Sequence, residues 1–496
     1  MRACKKTSVL LLTLFMSGCV VGPDYVKPAA PESKEYLGQA AIDQRQKAGA
    51  PNLETWWLGF NDALLNRFVK LALAQNLDIA QASARLEQSR ALLGAANAAL
   101  LPSGNVNAQG VKSYQSVQTP LGKLLNATPD FDRSGEYYEI GAGASWELDL
   151  FGGLRRGKEA ASATYEASEA GAVAIQLAVT AQTADTYVAI RGLQARLEIA
   201  RQQAANRRRM LSIVELQYQK GVAPELHVRQ AQGALAQVEA SVPVFEAALD
   251  SAMNSLDVLL GVQPGTHRED FREVIAIPDA PAIGHAGTPA DLIRRRPDLI
   301  AAERRLAAAN ARIGMAISEY FPKFSLGALL GTATTASGNL FTDGASQAQG
   351  VLGLRWRLFD FGRVDAQIAA ARGQTAEALA AYRLAVLRAS QDVEDAFIAL
   401  VKREEQERTL AQGVDSFAHA NRMALTAYQS GAASLIEVLD TDQNLLQTRD
   451  AYAQAQTEAA RAAIASFRAL GGGWELPEDV AVARAQARTL DEEVAR

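Results

Sequence analysis

Two hydrophobic patterns alternate along this chain, and the alternation happens twice in the same order. From Asp62 to Leu101 the sequence is rich in Ala, Leu, Gln and Arg and has no internal proline, which predicts helix capped by Asn61 or Asp62. After Pro102 the period changes to two, with Asn105, Asn107 and Gln109 alternating with Val106, Ala108 and Gly110. A loop rich in Gly, Ser, Thr, Pro and Asp separates this stretch from a second one. There Tyr138, Ile140, Ala142, Ala144, Trp146 and Leu148 share one face, and Glu139, Gly141, Gly143, Ser145, Glu147 and Asp149 the other. An apolar face with aromatics near its ends, backed by a small or acidic face, is the texture of a strand with lipid on one side and water on the other. Leu154 to Lys220 then runs without proline, with Ile175, Val179, Ile190 and Leu197 at helical spacing. At 1.5 Å per residue it reaches about 100 Å, which exceeds any globular core and predicts coiled packing. Past Gly221 a shorter helix is expected to return over Glu225 to Leu260.

The series recurs. Asp298 to Pro322 matches Asp78 to Pro102 without a gap, at Asp78/Asp298, Arg85/Arg305, Leu86/Leu306, Gly94/Gly314 and Pro102/Pro322 among others. Phe324, Leu326, Ala328 and Leu330 share a face of a third strand. Leu352, Leu354, Trp356 and Leu358 share a face of a fourth, with Arg355 and Arg357 opposite. Trp146-x-Leu-x-x-Phe-Gly152 returns as Trp356-x-Leu-x-x-Phe-Gly362, and Tyr218-Gln-Lys-Gly221 as Tyr428-Gln-Ser-Gly431. A second long helix is expected over Val364 to Ser430 and its return over Leu435 to Leu470. A repeat of about 200 residues is far longer than a solenoid unit. The chain therefore reads as internally duplicated, with repeats over 56–263 and 289–473 joined by an equatorial connector, 264–288. The smallest membrane barrels have about eight strands, and open sheet edges are not tolerated in lipid. Four strands per chain thus require an oligomer.

Charge and composition remove other classes. A net charge of −5 leaves no footprint for nucleic acid. The basic runs Arg207-Arg-Arg209 and Arg294-Arg-Arg296 read as solvated faces. Outside the N-terminus no apolar run approaches the roughly 20 residues a spanning helix needs. Arg2, Lys5 and Lys6 precede apolar Val9 to Met16 and then Ser17-Gly18-Cys19. This is a secretory signal resembling a lipoprotein signal, with 1–18 removed and Cys19 lipidated; Val20 resembles the pattern sent on to the outer membrane. Cys4 leaves with the signal, so no thiol remains for a disulfide or a metal. Residues 19–55 read as an extended, lipid-anchored linker, and 474–496 as a C-terminal tail. His227, His267, His285 and His419 lack metal-ligand spacing, and no nucleophile has an identifiable base. No catalytic site, metal or cofactor is expected.

Cys19-Val-Val-Gly-Pro-Asp-Tyr25, Arg295-Arg-Pro-Asp-Leu299, Ala309-Asn-Ala-Arg-Ile-Gly314, Phe321-Pro322 and Ala469-Leu-Gly-Gly-Gly-Trp474 come in an order that resembles the TolC-type outer-membrane factors. The resemblance is to their lipoprotein, drug-efflux branch and runs from Cys19 to about Leu476. It implies an α+β membrane protein, a homotrimer whose strands form a twelve-stranded outer-membrane β-barrel continuing into a long periplasmic α-helical barrel. It implies a passive exit duct for small toxic molecules or drugs, fed by a periplasmic adaptor and an inner-membrane pump. A type I protein-secretion channel is the alternative within the family. A periplasmic adaptor, which has long hairpins but no paired membrane strands, is the alternative outside it. The resemblance places adaptor contact at Gly221, Val222, Ala223, Pro224, Gly431, Ala432, Ala433 and Ser434. It places the gate at Tyr428, Ile436, Glu437 and Asp440. His227 and Ala433 stand where some members carry an aspartate and a gate arginine, so that latch is not carried over.

Overall fold

The computed structural model describes residues 20–29, 35–44, 51–283 and 289–474. The signal segment, Cys19, residues 284–288 of the connector and the tail beyond Trp474 lie outside the described residues. Helices α1 (Gln39–Gln44), α2 (Ala63–Gln75) and α3 (Leu77–Ala98) precede strand β1 (Ser103–Tyr114), the short α4 (Pro120–Leu125) and β2 (Ser134–Leu148). Then come α5 (Gly153–Gln219), α6 (Glu225–Glu239), α7 (Val242–Leu259), α8 (Pro289–Arg295) and α9 (Pro297–Ser318). The chain continues through β3 (Lys323–Thr334), β4 (Ser346–Arg355), α10 (Arg363–Gln429) and α11 (Leu435–Ala469). Helices α5 and α10 are each 67 residues long, as the proline-free runs predict. The chain divides into two compact units, and the division falls inside four of the helices.

One unit holds the described residues before Ala29 with Leu86–Ala167 and Ala302–Tyr382. Its centre is an antiparallel sheet in the order β1-β2-β3-β4, so among the described residues β1 and β4 each leave one edge without a partner strand. Register follows the alternation: Val106 pairs with Ala142, Ala142 with Leu330, Trp146 with Leu326, and Leu326 with Leu352, giving one continuous apolar face. On the opposite face Gln109 and Gln347 both donate to Glu139, at 2.8 and 2.9 Å. The fourth strand differs from expectation by ending at Arg355. Trp356 has left the ladder and gives its indole N–H to the Tyr320 carbonyl at 3.0 Å, as Trp146 does to that of Leu100 at 2.9 Å. The repeated motif then starts each long helix. Asp149 accepts from the Leu154 and Arg155 amides (3.1 and 2.8 Å), and Asp360 from those of Gly362 and Val364 (3.2 and 3.0 Å).

The segment read as a linker is pinned where it is described. Val21 donates its N–H to the Phe151 carbonyl at 3.2 Å. The Arg156 side chain, 5% exposed, pairs with Asp24 at 2.7 Å and donates to the carbonyls of Val21 and Gly22. Asn310 reaches the Pro23 carbonyl at 3.0 Å, and the Tyr25 hydroxyl donates to Glu303. Burial works to raise the Glu303 pKa, but its bonds to Arg304 and Tyr25 outweigh that and hold it below the usual carboxylate range. Gly22 sits at φ +96°, and a Cβ there would lie 2.5 Å from the Gly314 Cα. The strap's partners are far away in sequence, which is why composition alone reads it as a linker.

The other unit holds Ala29–Arg85, Ser168–Ala301 and the described residues from Arg383 onward. Trp56, Phe60, Phe68, Tyr187, Phe271, Phe397 and Phe467 form its core, with Trp56 stacked on Phe467 at 5.4 Å. Asp62 is the cap of α2, accepting from Leu64 and Leu65, while Asn61 takes a left-handed φ of 52°. Two helices expected to be continuous are divided. The first breaks at Asn76, whose side chain caps the amides of Asp78 and Ile79 and donates to the Leu259 carbonyl at 2.7 Å. The return helix breaks at Ala240–Ser241, because Pro243 belongs in the first turn of a new helix. Its counterpart α11 has no proline and is unbroken. The solvated reading of the second basic run fails at Arg296. Its side chain is 11% exposed and paired with Asp298 (2.8 Å) and Asp392 (3.0 Å).

Candidate functional site

The two Gly turns close the long helices identically. At the first, the Gly221 N–H donates to the Tyr218 carbonyl (2.9 Å) and that of Val222 to Gln217 (2.9 Å). At the second, Gly431 donates to Tyr428 (3.0 Å) and Ala432 to Ala427 (2.8 Å). This is the paired six-to-one and five-to-two closure, which needs a left-handed residue. Gly221 and Gly431 supply it at φ 72° and 77°. The helices that follow start differently. Pro224 caps α6 with no side-chain bond, whereas Ser434 and Glu437 form a reciprocal capping box on α11. The Glu437 carboxylate accepts the Ser434 N–H at 2.6 Å.

The expected gate residues therefore divide. Tyr428 is half-buried in a small core of Val214, Val228 and Leu435, and its hydroxyl donates to Gln217 Oε1 at 2.7 Å. Glu437 is folded back on its own helix start. Ile436 is exposed, as is Asp440, whose carboxylate accepts from Asn444 at 3.3 Å. Val222 and Leu226 are exposed beside the first turn. The box gives a first prediction. Glu437→Gln retains the reciprocal bonds and should leave amide exchange at the start of α11 unchanged. Glu437→Ala should weaken that turn by about 1 kcal/mol. Equal exchange rates in the two variants would contradict the cap.

Sequence reasoning missed the polar bond between the hairpins. Arg207, read as solvated, has a side chain 4% exposed, and its Nε lies 2.6 Å from Asp442 Oδ2. Gln203 also donates to Asp442. Arg196–Asp450 (2.6 Å) and Arg461–Asp185 (2.8 Å) repeat the link at intervals of about three turns. Between them a Cβ on Gly192 would lie 2.2 Å from Thr457 Oγ1, so α5 and α11 approach closely. On its other side α5 is bonded to α6 and α7 through Arg208–Glu239 (2.6 Å) and Arg201–Glu246 (2.7 Å). On its other side α11 meets α10, where Ser466 donates to the Ala396 carbonyl at 3.3 Å. A signal was present: Asp442 falls at helical spacing with the buried Leu435, Val438 and Leu445. A charge on an apolar stripe calls for a buried partner.

Among the described residues there is no group of His, Cys, Asp and Glu that could hold a metal, and no helix long and apolar enough to cross a membrane. The described geometry offers turns, an ion-pair ladder and a two-faced sheet with open edges.

The model of the outer membrane efflux protein family matches residues 68–262 and 288–472. Outer membrane protein OprJ of Pseudomonas aeruginosa is 31% identical over 96% of this chain and 98% of its own length. The toluene efflux pump outer membrane protein TtgI of Pseudomonas putida is 30% identical over 96% of this chain and 99% of its own. Among solved structures, the outer-membrane channel OprN superposes with a TM-score of 0.81 at 32% identity, covering 92% of this chain and all of that one. The Campylobacter jejuni CmeC outer membrane channel, 22% identical, shares the fold with a TM-score of 0.85 over 94% of this chain and 98% of its own.

Proposed function

The chain belongs to the outer membrane efflux protein family, and from that premise we propose that it is the lipid-anchored, trimeric exit duct of a tripartite efflux pump. The observation that carries the reading is the sheet. It has one continuous apolar face, one polar face, and two unpartnered edges. In lipid each unsatisfied backbone group costs several kcal/mol, so the edges must be paired. Three copies in a ring, β4 of one beside β1 of the next, make a closed twelve-stranded barrel with lipid outside and water inside. The helices call for the same arrangement. α10 is bonded to α11 on one side and exposes Leu384, Leu387 and Ile398, at 46, 68 and 55%. The α6–α7 pair of the next copy would cover them and continue the barrel as a helical one.

The chain is a duplication of 56–263 and 289–473 about the connector 264–288; the two separate family matches and the two 67-residue helices support this. Residues 1–18 are the signal and Cys19 the lipid-bearing residue, so the mass of the mature protein should include acyl chains. Residues 19–55 carry the anchor to the folded part, and 474–496 form the tail. The turns Gly221 to Pro224 and Gly431 to Ser434 meet the adaptor, which connects to an inner-membrane pump. Ile436 and Asp440, three copies each, line the closed tip, with Tyr428 and Glu437 supporting them from within each chain. The cargo is small toxic molecules, as the name of the toluene-pump relative suggests. Deleting the gene should raise susceptibility to several drugs or solvents, and the wild-type chain should restore resistance. Unchanged susceptibility together with loss of a secreted polypeptide would overturn efflux in favour of protein secretion.

A further inference from the structure

The polar face of the sheet is not evenly polar. Where the strands join the helices, Lys323 and Arg355 stand directly opposite each other on β3 and β4. Like charges in that relation destabilise a sheet. Lys323 is bonded to Glu319 and lies 3.9 Å from Glu147, and Arg357 pairs with Glu319 at 3.0 Å. Arg355 is exposed and makes no ion pair among the described residues. Three cations thus face two carboxylates, leaving one net positive charge per chain. Glu319 lies outside the strands. Burial works to raise its pKa, but Lys323, Arg357 and Arg355 outweigh it, so the carboxylate stays charged and the balance stands. Arg355 thus acts on Glu319 only at longer range, and it keeps an exposed guanidinium on the wet face beside the like-charged Lys323.

We propose that Arg355, opposite Lys323 and beside Arg357, forms an anion-attracting collar on the water-facing side of the barrel, easing passage of solutes that carry carboxylate or phosphate groups relative to cations. The proposal rests on the duct reading, in which each copy adds its excess charge around one lumen. Spread around a twelve-stranded barrel, these charges would act across a broad lumen, so the effect belongs to low ionic strength. The Debye length is about 30 Å at 0.01 M salt and about 3 Å at 1 M.

The test is reversal potential across planar bilayers holding the full-length protein in a potassium chloride gradient. In about 0.01 M salt, Arg355→Glu should raise the potassium-to-chloride permeability ratio about twofold or more. The change should vanish near 1 M. Arg355→Lys should keep wild-type selectivity. The melting temperature of the glutamate variant should stay near that of wild type, because the new opposite-charge pair with Lys323 offsets the lost attraction to Glu319. Channels of Arg355→Glu with wild-type selectivity at low salt would overturn the collar and leave the duct intact. Absence of channels from the wild-type protein would overturn both.

Discussion

Arg207→Ala should loosen the tip more than any other single change near it, by about 3 kcal/mol, and leave a larger, longer-lived open channel. Removing one partner of a buried ion pair typically costs about 3–5 kcal/mol, because the other charge is stranded. The low end applies here because the Asp442 side chain is 17% exposed. The pair joins α5 to α11 across the two hairpins, so its loss acts on the contact that holds them together. Arg207→Met with Asp442→Leu removes both charges and should recover most of the stability. The neighbouring pair Arg208–Glu239 is 61 and 40% exposed, and breaking it should cost less than about 1 kcal/mol. Thermal melting and single-channel conductance of the four proteins check this. Wild-type values for Arg207→Ala would show that the pair does not hold the hairpins.

Gly22→Val should expel the N-terminal strap. Valine at φ +96° is forced into backbone that β-branched residues avoid, and its Cβ would meet the Gly314 backbone at 2.5 Å. The combined cost is about 3 kcal/mol, enough to detach a segment held mainly by Arg156, Asn310 and Glu303. Asp24→Ala should do less, since Asp24 is 91% exposed and the other bonds remain. Limited proteolysis should cut the Gly22→Val protein within residues 20–35 much faster than wild type. Equal resistance would mean that the strap is not held by the fit of Gly22 against Gly314.

The sequence made the strands and the long helices legible because each is specified by a local period. Alternation over Tyr138 to Leu148 sets which side chains share a face, and the absence of proline from Gly153 to Gln219 permits one unbroken helix. The Gly turns were legible for a similar reason, since only a left-handed residue closes them. What escaped depends on distant partners. Arg207 and Arg296 look solvated within their basic runs, and only the packing of Asp442 and Asp392 against them makes them buried. Residues 20–25 look like linker until Arg156, Glu303 and Asn310 are placed beside them. The break at Ala240 is marked locally by Pro243, although helix formers surround it on both sides. The break at Asn76 carries no such mark. Glu437, one of the residues the resemblance assigns to the gate, closes the start of its helix with its carboxylate, a role written locally in Ser434-x-x-Glu437.

A four-stranded sheet with two open edges cannot close into a barrel within one chain. Native mass spectrometry of the detergent-solubilised, full-length protein over a wide concentration range tests it directly. Three chains at every concentration, with a barrel that resists denaturation until the trimer dissociates, is the result expected if the two open edges of each chain are paired in the proposed ring of three. A monomer that retains its membrane-embedded strands as a stable barrel would contradict it.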